Sequence, residues 1–305
     1  MVSVDVDALH EALLGFGWSL FTELGVPGVL RSHRQVVLDP EPIVVAIPAL
    51  FEIDPRLRDQ VYSWCATHSD RLSISRINGL SRRLSSHNRV AFHGFAATLR
   101  EHSGVKWSDK GQPPWNCVPE VNARRLPMER PALLCFRIRT LCGVGARADV
   151  LNEMIWRSST WTRASDLSGL GYSKRTVAGI LSDLHESGIA RQLSVGNALT
   201  FQLAHRDDLV SVLDAGDLAF LNWERVMSLV LMFLELSHLG HKNPMARRVE
   251  ANKRRGPLRA LSDELGLETP PITSGNSSAW GDLMSWAIHC ARDLSCGASS
   301  FLQIK

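Results

Sequence analysis

No two cysteines in this chain stand in CxxC spacing; Cys65, Cys117, Cys135, Cys142, Cys290 and Cys296 are scattered among apolar neighbours. That excludes a disulfide-stapled scaffold and reads as reduced, buried thiols in the cytoplasm. Lysine and arginine are missing before Glu11, where Asp5 and Asp7 stand instead, so no secretory leader is expected. Long apolar runs are missing too. The most apolar stretch, 226–236, contains Glu235 and is far short of the roughly 20 residues that span a bilayer, so no membrane partner is expected.

The signatures of common catalytic and cofactor sites are also absent. Gly143-Val144-Gly145 has no third glycine and no preceding strand pattern, so it is not a dinucleotide fingerprint. The acids form no nuclease-like set. His238 and His241 are a spaced pair, but no cysteine or acid completes a zinc-type site around them, and the neighbours His289 and Cys290 fall on different faces of a helix. The chain is therefore not expected to be an enzyme, and no cofactor or metal is expected.

What remains is an ordinary packed composition. The 305 residues are 45% hydrophobic and 21% charged, and the length suits two or three domains. The net charge is only +3, so the placement of charge, rather than its sum, has to identify a partner.

The pattern along the chain predicts a mainly α fold. Residues 1–101 read as an N-terminal helical domain. Leu9, Leu13, Phe16, Phe21 and Leu24 mark one buried helix face, weakened by Gly15 and Gly17. Asp39-Pro40-Glu41-Pro42 reads as a turn, and Asp54-Pro55 as a cap followed by proline at the first helical position. A helix at about 75–84 would bury Ile77, Leu80 and Leu84 and leave Arg76, Arg82 and Arg83 outside. Residues 102–130, rich in glycine and proline, read as a linker or arm that Trp107 and Trp115 would pin down. Residues 131–215 form a central domain, and 216–305 a helical C-terminal oligomerisation region. That last region would hold an apolar helix (218–239), a basic loop (240–259) and two further helices.

The sharpest pattern lies within 147–203. Val150, Leu151, Met154 and Ile155 mark a first helix, and 163–169 a second, with Thr162 as its cap. Gly169-Leu170-Gly171-Tyr172 makes a tight turn, and Ser173 caps a third helix at about 174–187. Val177, Ile180, Leu181 and Leu184 follow the i, i+3, i+4, i+7 rule, and Gly188 closes the helix. Two alternating strands follow, with Leu193 and Val195 on one, Leu199, Phe201 and Leu203 on the other, and Gly196-Asn197 between them. Helix, helix, turn, helix, hairpin is the order of a helix-turn-helix with a wing.

That order predicts contact with double-stranded DNA. The third helix would enter the major groove N-terminus first, presenting Ser173, Lys174, Arg175 and Thr176, while small Ala178, Gly179 and Ser182 allow close approach. Arg163, Arg191 and the Asn197 tip would meet backbone or minor groove. Two further basic zones would neutralise phosphates. One is 71–100, with six arginines and no acid, including Arg82 and Arg83. The other is 241–259, with seven Lys/Arg against Glu250, including Arg254 and Arg255. Against this, 147–206 holds seven Lys/Arg and five Asp/Glu, a small excess for a DNA binder.

The stretch from Ala164 through Val177 and on to Leu181, Leu184 and Gly188-Ile189 resembles the winged helix-turn-helix regulators of the MarR/ArsR type. The resemblance covers under a fifth of the chain. It implies that Lys174, Arg175 and Thr176 are recognition-helix contacts and that the protein regulates transcription. Those regulators are often about half this size, so most of the chain has no counterpart in them. A sequence-specific regulator working as a homodimer along the apolar helix is the expectation. The alternative is a protein-binding adaptor, such as an antitoxin or regulatory subunit of a two-gene system, whose winged helix docks a second protein or autoregulates.

Overall fold

A computed structural model describes residues 2–28, 32–116, 118–157, 160–216, 218–240, 242–268 and 279–297. Cys117, His241 and parts of the C-terminal region named above lie outside them. The elements run α1 (Val2–Glu23), β1 (Val36–Val37), α2 (Pro40–Ala46), α3 (Pro55–His68), α4 (Ile74–Ser81) and α5 (Ser86–Ser103), then α6 (Leu134–Cys142), α7 (Ala146–Trp156) and α8 (Lys174–Glu186). After them come β2 (Ala190–Val195), β3 (Ala198–Leu203), α9 (Arg206–Val212), β4 (Ala219–Phe220), α10 (Trp223–Leu239), α11 (Pro244–Glu264) and α12 (Ala279–Cys296). The molecule is mainly helical. Its sheets are two short pairs, parallel β1–β4 and antiparallel β2–β3. Among the described residues, no helix is long and apolar enough to cross a membrane, and the five described cysteines are free.

Two hydrophobic clusters organise the chain. The larger draws on α1–α5 and also on α10–α12. Residues near the two ends of the sequence therefore share one core, with α12 lying along α1. Gly17 is accommodated in α1 because a Cβ there would stand 3.0 Å from Ile47 Cδ1 and 3.2 Å from Leu57 Cδ2. The smaller cluster is built by α6, α7, α8 and the β2–β3 hairpin, with Val37 from β1.

Four expectations need correction. Residues 39–42 are not a free turn. Asp39 precedes a helix with Pro40 at its start, and the whole of α2 is buried. The basic loop is a helix: Asn243 Oδ1 accepts the Ala246 N–H at 2.8 Å, Pro244 occupies the first turn, and α11 continues through Pro257. Arg76 is not outside but 5% exposed. The apolar helix α10 buries Val226, Leu229, Val230, Phe233, Leu234 and Leu236 within the chain itself. That burial accounts for its all-round apolarity and removes the motive for a dimer along it. The irregular stretch 104–130 is a strap, with Trp107 buried and Trp115 stacked on Phe95 at 5.6 Å.

Candidate nucleic-acid interface

The exposed tip of α8 follows from its local sequence. Gly171 takes φ +81°, a left-handed conformation that side chains resist, and turns the chain out of a 3-10 helix, Ala164–Leu170. Ser173 Oγ then accepts the Thr176 N–H at 3.1 Å and lies 2.8 Å from Thr176 Oγ1. Val177, Ile180, Leu181 and Leu184 are buried, which turns the opposite face outward. Ser173, Lys174, Arg175, Thr176 and Gly179 are all exposed. Among the described residues, neither Lys174 nor Arg175 forms an ion pair. Asp183, the first acid on this face, is paired with Arg147 at 2.6 Å. Unpaired N–H groups and the helix dipole add positive potential at the same end.

The hairpin follows the other end of α8 in sequence. β2 and β3 pair from Ala190↔Leu203 to Val195↔Ala198, closed by Gly196 and Asn197. Thr162 adds a bridge: its N–H and carbonyl each bond Phe201 at 2.8 Å. Thr162 is therefore a sheet residue and not the expected cap. Asp166 Oδ2 instead accepts the Arg163 N–H at 2.9 Å. Arg163, Arg191 and Asn197 are exposed. The expected alternation of the strands holds only at their base. Phe201 and Leu203 are buried, but Leu193, Val195 and Leu199 are 46%, 47% and 48% exposed. Leu193 and Val195 share the Arg191 face of the ribbon, away from Phe201.

Beneath the tip lies an ionic cluster assembled from five separate segments. Arg76 of α4 pairs with Asp39, just before α2, and with Glu41 of α2 at 3.0 Å. Arg139 of α6 pairs with Glu41 at 2.7 Å and with Asp149 of α7 at 2.7 Å. Tyr172 donates to Asp149 Oδ2 at 2.6 Å, and its hydroxyl lies 2.9 Å from Ser73 Oγ. The Ser73 N–H donates to Glu41 Oε1 at 2.8 Å. All five charged side chains are buried. Three carboxylates thus face two guanidiniums. Burial, reinforced by Glu41 and Asp149 and opposed by Arg76, holds the Asp39 carboxyl up at about 6. Burial would raise Glu41 as well, but Arg139 and Arg76 outweigh it and hold that carboxyl at about 2. Burial and the Asp149 carboxylate push the Tyr172 hydroxyl well above its usual range.

None of this cluster follows from local charge counting, which puts Arg76 in a solvent-facing set. Its one sequence signal is the i, i+4 spacing from Arg76 to buried Leu80, which places both on one helix face.

The remaining basic residues are less available than their spacing suggests. Arg83 pairs with Glu224 at 2.7 Å, and Arg100 with Asp109. The Arg89 guanidinium bonds the carbonyls of Arg82 and Leu84 at 3.0 and 2.7 Å. Arg82 itself is exposed. Arg254 and Arg255 lie on α11, which packs against α10 and α12, and Arg254 pairs with Glu250 one turn earlier. The candidate contacts therefore divide. Residues 163, 173–176, 191 and 197 stand on the segments around the smaller core, and Arg82, Arg83 and the arginines of α11 on those around the larger. Comparison with family models, with curated proteins and with solved structures found no match to this chain.

Proposed function

We propose that the protein binds double-stranded DNA through α8 as the recognition helix of a winged helix-turn-helix, and that it regulates transcription in the cytoplasm. The observation that carries this reading is the tip of α8. Its apolar stripe is fully used in packing, while Lys174 and Arg175 stand exposed and without ion pairs among the described residues, beside a capped helix N-terminus. A major groove admits one helix, led by its first turn. Arg163, Arg191 and Asn197, also exposed, would serve as phosphate or minor-groove contacts. A two-fold operator would take two copies of the chain, and the burial of most of α10 supports a seam elsewhere.

The test is Lys174→Ala with Arg175→Ala against a duplex selected by the wild-type protein. Each lost base contact lowers affinity for that site by about 1–3 kcal/mol. Both side chains are exposed, so the thermal midpoint stays where it was. Unchanged affinity for the selected site would refute the assignment.

A second reading has its own support. Leu193, Val195 and Leu199 expose apolar surface along the wing, where a DNA backbone offers nothing apolar to cover it. In this reading the wing docks a protein partner, as an adaptor or antitoxin would. Leu193→Ser with Val195→Ser separates the two: DNA affinity unchanged and partner capture lost favours the adaptor.

A further inference from the structure

A groove of about 490 Å³ lies on the larger core, between the end of α4, the first half of α5 and the turn at 108–112 of the strap. Its walls include Arg82, Arg89 and Lys110 together with Asn78, His93 and Gln112, and no carboxylate. A cavity of this size suits a small organic ligand, and a lining with cations and amides but no acid suits an anion.

Three details show that the groove is built rather than incidental. First, His93 is only 5% exposed, and its Nδ1 lies 2.8 Å from the Ser108 carbonyl, so Nδ1 carries the proton. Among the described residues Nε2 has no hydrogen-bond partner, so it is left as an acceptor for a hydroxyl of whatever occupies the groove. Second, Asn78 Oδ1 accepts the Ser108 N–H at 3.0 Å, which fixes the amide and leaves its NH₂ group as the donor side. Third, Lys110 stands at φ +51°, where lysine is strained and glycine or asparagine is usual. The turn that holds it there is closed by the Gln112 N–H on the Asp109 carbonyl at 3.0 Å and the Gly111 N–H on Asp109 Oδ1 at 3.1 Å. The Arg89 guanidinium, bonded to the carbonyls that end α4, offsets the negative end of that helix.

We propose that this groove is a phosphate site, binding the phosphate group of a nucleotide-sized ester or of a nucleic-acid backbone. Arg82 and Lys110 supply the charge, and the Asn78 amide supplies a directed hydrogen bond from the wall. The site stands apart from the α8 tip and does not depend on the reading given for it. The two are nevertheless joined mechanically: α4 carries Arg82 at its end, Arg76 in the ionic cluster, and Gly79, whose Cβ position lies 3.7 Å from the Gly171 carbonyl.

The experiment is calorimetric titration of inorganic pyrophosphate and, separately, of a random-sequence duplex, into the wild-type chain and into the double variant Arg82→Ala, Lys110→Gly. Glycine relieves the strain at 110, so the variant keeps or raises its thermal midpoint. Losing a charged contact weakens binding by about tenfold. Pyrophosphate binding lost in the variant supports a free phosphate ester as ligand. Duplex affinity reduced, with a shallower salt dependence and no pyrophosphate binding, supports a nucleic-acid backbone as the source. If the variant matches the wild type with both probes, the groove is not a phosphate site. Lys174→Ala with Arg175→Ala serves as the control. Those changes affect duplex binding alone, so failure of the α8 assignment and failure of the groove are read separately.

Discussion

The phenol of Tyr172 donates to Asp149 across 2.6 Å, one residue before the cap that starts α8. The same hydroxyl lies 2.9 Å from Ser73 at the start of α4. The residue that aims the candidate recognition helix is thereby tied both to its own core and to the larger one. Tyr172→Phe keeps the ring and deletes both bonds. Hydrogen bonds to charged groups contribute about 1.5–3 kcal/mol, so urea unfolding should show a loss in that range. Affinity for a selected duplex should fall by less than it does in the Lys174, Arg175 variant, because the contacts survive and only their aim is loosened.

Arg139 and Arg83 make ion pairs of similar length and very different consequence. The Arg139 side chain is 1% exposed and holds Glu41 and Asp149 together, whereas the Arg83 side chain is 47% exposed. Arg139→Met would leave the buried Asp149 without a cation and Glu41 with Arg76 alone, at a cost of about 3–5 kcal/mol. Arg83→Ala removes an exposed pair worth about 1 kcal/mol or less. Chemical denaturation of the two variants side by side checks the ranking, and equal losses would mean that the cluster is wetter than its burial indicates.

The contrast between those arginines explains what the sequence could tell. Everything that specifies α8 is local. The Ser173 cap, the 177–180–181–184 stripe and the closing glycine lie within one short window, and each acts through its own neighbours. The ionic cluster is not local. Asp39, Arg76, Arg139 and Asp149 are brought together only by packing, and an arginine in a run of arginines looks solvated until its acids arrive from elsewhere. The helix α11 was hidden for a different reason. Gly256 and Pro257 are breakers by propensity, but buried Ala251, Leu258 and Leu261 hold the helix through them. The exposed apolar residues of the β2–β3 hairpin are not foreseeable from period-two alternation, which reports opposite faces of a ribbon and not which face a core covers.

Asp39 makes stability depend on pH in a direction unusual for a carboxylate. Its folded value of about 6 lies above the ordinary 3.8. The folded state therefore takes up a proton first, and the stability linked to Asp39 is complete below pH 4 and lost as pH rises through 6. His33 works the other way. Burial lowers it from 6.5 to about 4, so its contribution is complete above pH 6.5 and lost as pH falls through 4. The two oppose one another, while Glu41, held below its ordinary 4.5, adds a loss as the pH falls past that value. Asp39→Asn removes one side of the balance. On acidification from pH 7 to 4 the variant should lose stability relative to the wild type, by an amount on the order of 3 kcal/mol. Parallel melting curves in one buffer series read this difference directly, and a constant gap between the two proteins would place the Asp39 carboxyl in its ordinary range.

Gly179 separates folding from binding at a single position. It lies on the outward face of α8, and a Cβ there would meet nothing within 4 Å. Glycine inside a helix costs about 0.5–1 kcal/mol relative to alanine, so Gly179→Ala should raise the thermal midpoint. Gly179→Glu should raise it as well, since glutamate is also a good helix former. The glutamate, however, stands four residues after Arg175 and can pair with that guanidinium, besides presenting a carboxylate to phosphates. Stability should therefore rise while duplex affinity falls, whereas a purely structural α8 would show only the rise. An adaptor that uses the wing alone would likewise keep its partner and lose nothing. Measuring the melting midpoint and duplex affinity on the same preparation of Gly179→Glu thus tests whether the glycine is kept for a close approach, and opposite signs in the two measurements are the outcome that the recognition-helix reading requires.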